Sequence, residues 1–254
     1  MQKWEMAARD FVDNCSFKSD IDAVILTGNY ASGNADEFSD VDLDIVLNDN
    51  VDWRERGNKR VNGFLIEYFA NPVRQIKKYI DDAHNVAQIA DINMLLSGIV
   101  LFDKNNTVDE LIKYCKQKLA EDFPKMSEFH MKMGLYHLWD SFDELGKAYA
   151  TNSADFTAQF WYFVKYAFEF YSRYKCCPVP NFPKLYRWLT DDSYFNKYGY
   201  PVHKDEEFVQ MIKRAFECVA DADEMHDLTE EIYHHIVNNM GGFDINDFDL
   251  RGRL

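Results

Sequence analysis

Long apolar runs are missing from this 254-residue chain: none approaches the ~20 residues that a membrane-spanning helix needs, so no span and no membrane partner are predicted. A basic excess is missing too. With 28 Lys+Arg against 43 Asp+Glu the formal net charge is −15, which repels a polyanion and argues against DNA or RNA as a partner. The deficit is evenly spread, because residues 1–104 hold 11 basic and 18 acidic side chains and the rest hold 17 and 25, so neither half is a basic arm. The five cysteines (Cys15, Cys115, Cys176, Cys177, Cys218) are odd in number and lack CxxC spacing, and the N-terminus Met1-Gln2-Lys3-Trp4-Glu5 lacks a signal-peptide core. Together these predict a reducing, cytoplasmic location. Neighbouring cysteines bridge only with strain, so Cys176 and Cys177 are expected free. Metal-type histidine spacing such as HExxH is absent. His234 and His235 are adjacent and point about 100° apart on a helix, so they and His226 are expected at the surface or at helix ends.

What the chain has is bulk and aromatic rings. Hydrophobic content of 47% with 28% charged residues describes a soluble globular protein, long enough for one large or two ordinary domains. The 20 Phe and 15 Tyr are concentrated in the second half. No internal repeat or low-complexity segment is present.

The chain is organised around Leu26-Thr27-Gly28-Asn29-Tyr30-Ala31-Ser32-Gly33 and the following Ser39-Asp40-Val41-Asp42-Leu43-Asp44-Ile45-Val46-Leu47. An apolar run from Ala23 to Leu26 stops at Gly28, and Gly28 and Gly33 bracket a stretch that suits a strand opening into a tight loop and helical turn. Such a loop offers backbone N–H groups to phosphate. In the second strand Asp40, Asp42 and Asp44 alternate with Val41, Leu43 and Ile45, so the carboxylates share one face. Hard carboxylate oxygens beside a phosphate-cradling loop suit Mg²⁺ shared with a nucleoside triphosphate.

These residues resemble the nucleotidyltransferase superfamily, the DNA polymerase beta-like group, whose signature is Gly-Ser, a small-residue turn ending in Gly, then Ser-Asp-x-Asp on the next strand. The resemblance covers about twenty contiguous positions. It implies Asp40 and Asp42 as metal ligands and Gly28, Asn29, Gly33 and Ser39 as nucleotide-binding positions. The family's Ser after the first glycine is Asn29 here, whose amide also donates hydrogen bonds but from a longer side chain. Asp44 is not needed by the pattern and is expected to be a solvated edge carboxylate. The resemblance further implies a third acid on a later strand, completing the metal site or acting as base toward the acceptor; Glu67, in Phe64-Leu65-Ile66-Glu67-Tyr68-Phe69, is the position that maps to it.

In chain order, Trp4, Ala7, Ala8, Phe11 and Val12 predict an amphipathic helix over residues 2–14. Asn48 to Asn58 is polar and turn-rich, Asn62-Gly63 is a hairpin dipeptide, and Phe64–Phe69 is a third strand. Helices are predicted over Val73 to His84 and Val86 to Leu96, a strand over Gly98 to Asp103, and a helix capped by Thr107, with Glu110 completing a capping box, to about Ala120. From Pro124 onward the pattern is helical: Met126 to Tyr149, Thr157 to Tyr174, Asp205 to Val219 and Glu224 to Asn239, with a Pro178/Pro180/Pro183 loop leading into Lys184–Leu189 and a loose tail of about a dozen residues.

The fold expected is α+β: an N-terminal nucleotidyltransferase mixed sheet with flanking helices (1–122) and a C-terminal all-α helical bundle (123–254), with the active site in the cleft between them. The order and size of the two parts resemble the aminoglycoside and lincosamide nucleotidyltransferases of antibiotic resistance. That resemblance implies transfer of a nucleoside monophosphate, AMP from ATP, to a hydroxyl of a small-molecule acceptor with release of pyrophosphate and one or two Mg²⁺ ions. The acidity of the chain would suit a cationic acceptor. The resemblance also implies acceptor-binding groups on the helical half, for which Lys165, Glu169 and Lys184 are the candidates, while Lys165, Glu169 and Arg173 at i, i+4, i+8 equally make helix-stabilising pairs. Other readings are a protein-modifying or regulatory (toxin–antitoxin type) nucleotidyltransferase and a non-catalytic nucleotide-binding protein. The sequence leaves the acceptor, the base and the oligomeric state open.

Overall fold

In the computed structural model residues 2–191, 203–218 and 221–251 are described, and they form two compact units. The first comprises residues up to Asn85 together with Ile89–Asp122. Its five-stranded mixed sheet has the order β3-β4-β2-β1-β5, with β1 Ile21–Thr27, β2 Val41–Leu47, β3 Glu55–Val61, β4 Phe64–Pro72 and β5 Ile99–Asp103. β2 runs parallel to β4, and the other pairs are antiparallel. Val41, Leu43 and Ile45 are fully buried on one face and pack with Ala7, Ala8 and Phe11 of helix α1 (Lys3–Asn14), whose apolar stripe covers that side. Strand alternation then forces Asp42 and Asp44 onto the other face.

Two expectations for the strands of this unit are corrected. The polar stretch before Asn62-Gly63 is not all turn: Glu55–Val61 is an edge strand paired along its length with β4, its charged alternation masking the strand pattern. Charged side chains are the usual protection of an exposed sheet edge. β2, conversely, lies at the centre of the sheet, so Asp44 is no edge carboxylate.

Helices α2 (Gly28–Ser32), α3 (Val73–Asn85), α4 (Ala90–Ser97) and α5 (Thr107–Ala120) complete the unit. α4 is shorter than the predicted Val86–Leu96 helix because residues 86–88 leave it and join the second unit, where the Val179 N–H donates to Ala87 O at 2.8 Å. The capping box at Thr107 does not form. Asp103 at the end of β5 reaches forward instead, accepting from the N–H groups of Thr107 and Val108 at 3.0 Å each and satisfying the helix start from outside.

The second unit is helical: α6 (Glu128–Ala150), α7 (Phe156–Tyr174), α8 (Leu185–Thr190), α9 (Glu206–Glu217) and α10 (Ala222–Asn239) among the described residues. The predicted helix end at Val219 lies outside them. Phe160, Phe163, Phe168, Tyr171 and Phe208 are at most 1% exposed and form the bundle core. Asp205 caps α9 through the Phe208 N–H and also accepts from the Tyr171 hydroxyl at 2.6 Å. His235 Nε2 lies 3.0 Å from the same carboxylate and only 9% of its side chain is exposed, so His235 is a buried tether and not a surface histidine. The tail is anchored as well, since Phe248 stacks on Tyr136 at 4.9 Å between centroids; its last residues, 252–254, lie outside the described ones. The five cysteines are free.

Candidate active site

β1 ends at Thr27, and the chain turns at once into α2 because Gly28 takes a φ of +65°, a region closed to most side chains. A Cβ at Gly28 would stand 1.8 Å from Asp42 Oδ2, so only glycine lets the loop approach this carboxylate. Gly33, with a φ of +73°, closes the turn. The Asn29 side-chain amide donates to Ser39 Oγ at 3.4 Å, and Ser39 in turn donates to Asp36 at 2.8 Å, which ties the loop to the approach of β2. That hydroxyl, together with the backbone N–H groups of Phe38 and Ser39, holds the Asp36 carboxyl below its ordinary value.

In the β2–β4 register Asp42 stands opposite Glu67, and one oxygen from each of Asp40, Asp42 and Glu67 lies within 4.8 Å of the others. Glu67 thus shares the face of the two aspartates. Arg56, across the hairpin on β3, donates from Nη2 to Glu67 Oε1 at 2.8 Å while its guanidinium lies over the Phe69 ring at 4.5 Å. Arg56 therefore holds Glu67 from the β3 side while the carboxylate shares the face of the two aspartates. An all-oxygen set of three carboxylates suits a hard divalent cation such as Mg²⁺, which takes one to three protein oxygens and fills its remaining positions with water and phosphate.

Asp44, next on the same face, lines a cavity of about 560 Å³ with Asp91, Arg54, Arg56, Phe69 and Tyr79. Burial, followed by the nearby charges of Asp91 and Asp42, pushes its carboxyl up to about 7. The expectation of a solvated edge Asp44 is corrected: it is half-buried on a central strand, facing Ile76 and Ile80 of α3 and Asp91 and Leu95 of α4 across the cavity. Sequence patterning points to neither Arg56 nor Asp91. Arg56 belongs to a stretch that reads as turn, and Asp91 has no partner in sequence to point at it.

Of the candidates in the helical unit, Lys165 and Glu169 pair at 2.8 Å, one turn apart on α7. Glu169 and Arg173 also line a cavity of about 510 Å³ with His130, His137 and Tyr166. Lys184 is exposed at the end of a short turn, Phe182–Lys184, and is not among the residues lining that cavity.

Residues 8–114 match the family model described as a nucleotidyltransferase domain. The first unit is therefore a nucleotidyltransferase domain, and the class of chemistry it supports is nucleotidyl transfer. No curated protein matches the sequence. Among solved structures, a nucleotidyltransferase-like protein from Exiguobacterium sibiricum 255-15 aligns with a TM-score of 0.48 at 12% identity, covering 93% of this chain and 75% of that one. Among the described residues no helix is long and apolar enough to cross a membrane.

Proposed function

We propose that this protein transfers a nucleoside monophosphate, AMP from ATP, to a hydroxyl of a small-molecule acceptor. The observation that carries the reading is the convergence of Asp40, Asp42 and Glu67 within 4.8 Å beside a glycine turn that touches Asp42. Asp40, Asp42 and Glu67 would hold one or two Mg²⁺ ions, which supply charge neutralisation on the triphosphate and acidify the attacking hydroxyl. The turn from Gly28 to Gly33 would hold the β and γ phosphates through its backbone amides, with Asn29 and Ser39 as side-chain donors. In the reaction the acceptor oxygen forms a bond to the α-phosphorus, the bond from that phosphorus to the β-bridging oxygen breaks, and pyrophosphate departs. The acceptor hydroxyl proton would pass to water as the new bond forms. Arg56 would keep Glu67 in place throughout, a positioning role.

An aminoglycoside-like acceptor is supported by the acidic balance of the chain and by the two-unit order. The test is pyrophosphate release with Mg²⁺ and each of the four ribonucleoside triphosphates against a panel of aminoglycosides and lincosamides, with Asp42→Ala as control. Acceptor-dependent release that disappears in the variant supports the reading. Triphosphate binding with no release on any acceptor would remove it.

A further inference from the structure

The two edges of the sheet are finished differently. At β3 the exposed side chains are charged or polar, namely Glu55, Arg56, Asn58, Lys59 and Arg60, which keeps an edge from sticking to another chain. At β5 they are apolar. Ile99, Val100, Leu101 and Phe102 are each 40–46% exposed and make the one run of consecutive exposed large hydrophobics among the described residues. Single exposed apolar side chains are ordinary, but four in a row on an edge form a patch that calls for a cover.

The register narrows what the cover is. Phe102 pairs with Val24 and Val100 with Ile25, so Leu101 is an extra residue, a bulge in β5. A bulge interrupts the ladder and makes the edge a poor template for an added strand, so a partner is met through side chains. Leu101 and Phe102 both line a groove of about 480 Å³ with Ala8 and Val12 of α1, and exposed apolar knobs thus stand beside an apolar hollow. The rim carries both signs, Glu5 and Asp13 beside Arg9, Lys18 and Lys104. On a chain of net charge −15 two copies repel over most approaches, whereas this rim can set cation against carboxylate when it meets itself. A two-fold contact needs a patch that complements itself, and knob, hollow and both charges within one patch meet that need.

We propose that the α1–β5 patch is a docking surface for a second copy of this chain, with Leu101 and Phe102 of each copy entering the groove of the other. Phe102 stands opposite Val24, which packs with α1, so the contact lies on the α1 side of the sheet and away from the face that holds Asp42 and Glu67. The contact needs no nucleotide and stands apart from the transfer reading.

The experiment is sedimentation equilibrium of the full-length protein between about 1 and 100 µM, which brackets a micromolar dissociation constant. The wild type is expected to be dimeric at the upper end. Leu101→Lys and Phe102→Lys should each weaken the dimer by about ten-fold or more, with the wild-type circular dichroism, because both side chains are already exposed. Tyr162→Lys, at an exposed aromatic on α7, should leave the dimer unchanged. Hydrogen exchange on the wild type supplies a readout free of any variant: the amides of residues 99–103 should be protected at high concentration and released on dilution. A wild type that stays monomeric at the upper end overturns the proposal. So does a dimer that ignores both β5 lysines, or β5 exchange that does not change with concentration.

Discussion

Asp42 on β2 and Glu67 on β4 stand directly opposite one another in a parallel pair, so two carboxylates 25 positions apart in sequence meet because the sheet is mixed and β3 turns the chain back between them. Parallel pairing needs that connection, and the hairpin at Asn62-Gly63 supplies its last step. Asp40, one step before β2, then closes the cluster.

Gly28 is where this arrangement is least tolerant. Its positive φ, and the 1.8 Å that would separate an added Cβ from Asp42 Oδ2, mean that Gly28→Ala must move either the loop or the carboxylate. The expected outcome is a loss of at least about 100-fold in kcat/KM for pyrophosphate release, or roughly 2.7 kcal/mol, with the far-ultraviolet circular dichroism of the wild type. A variant with near-normal turnover would show that the loop does not act on Asp42.

Arg56 separates positioning from stability. Its side chain is 67% exposed, and exposed ion pairs contribute little to folding, so Arg56→Ala should leave the melting temperature nearly unchanged. Released from its clamp, Glu67 should hold a divalent ion less well, and the Mg²⁺ concentration for half-maximal activity is expected to rise about ten-fold, in line with the effect of losing a contact to a metal ligand. Arg56→Lys should recover part of this. A fall in melting temperature with no change in the Mg²⁺ dependence would instead make Arg56 a structural residue.

The glycines, the two aspartates and the apolar run before them are legible in the sequence because strand periodicity and a glycine turn are local properties. The aromatic helices are legible for the same reason. Asp44, Arg56 and Asp91 are not, because their meaning comes from strand order: only with β2 central and β3 folded beside β4 do three distant charges line one cavity. His235 escapes the sequence likewise, since its partner Asp205 is 30 positions away and reached through helix packing.

Two glycines on α6 predict opposite outcomes for the same substitution. A Cβ at Gly134 would lie 2.0 Å from the Phe170 ring, whereas one at Gly146 meets nothing within 4 Å. Gly134→Ala is expected to destabilise the protein by about 1–3 kcal/mol through overpacking. Gly146→Ala should stabilise it by up to about 1 kcal/mol, because alanine restricts the unfolded chain and favours the helix. Urea denaturation of both variants checks this pair, and a shift of the same sign in both would contradict the packing seen at Phe170.

The helical unit should lose stability in acid in two stages, set by His203 and Asp205. His203 is 3% exposed, and its Nδ1 accepts the Asp205 N–H at 3.2 Å, so the buried ring must be neutral with its proton on Nε2. Burial lowers it from 6.5 to about 4. Between those values the unfolded chain binds the proton and the folded one does not, so its contribution is complete above about pH 6.5 and is lost as the pH falls toward 4, by up to about 3 kcal/mol. For Asp205 burial alone would raise the carboxyl, but hydrogen bonds from the Tyr171 hydroxyl, the Phe208 N–H and His235 outweigh it and hold the group at about 2. Its contribution persists down to about pH 3.8 and is lost below that. Denaturant midpoints measured from pH 7.5 to 3 should therefore fall in two limbs. His203→Gln is expected to flatten the limb between pH 6.5 and 4, and Asp205→Asn to lower stability at pH 7 while removing the limb below pH 4. An unchanged upper limb in His203→Gln would mean that another group carries the acid sensitivity.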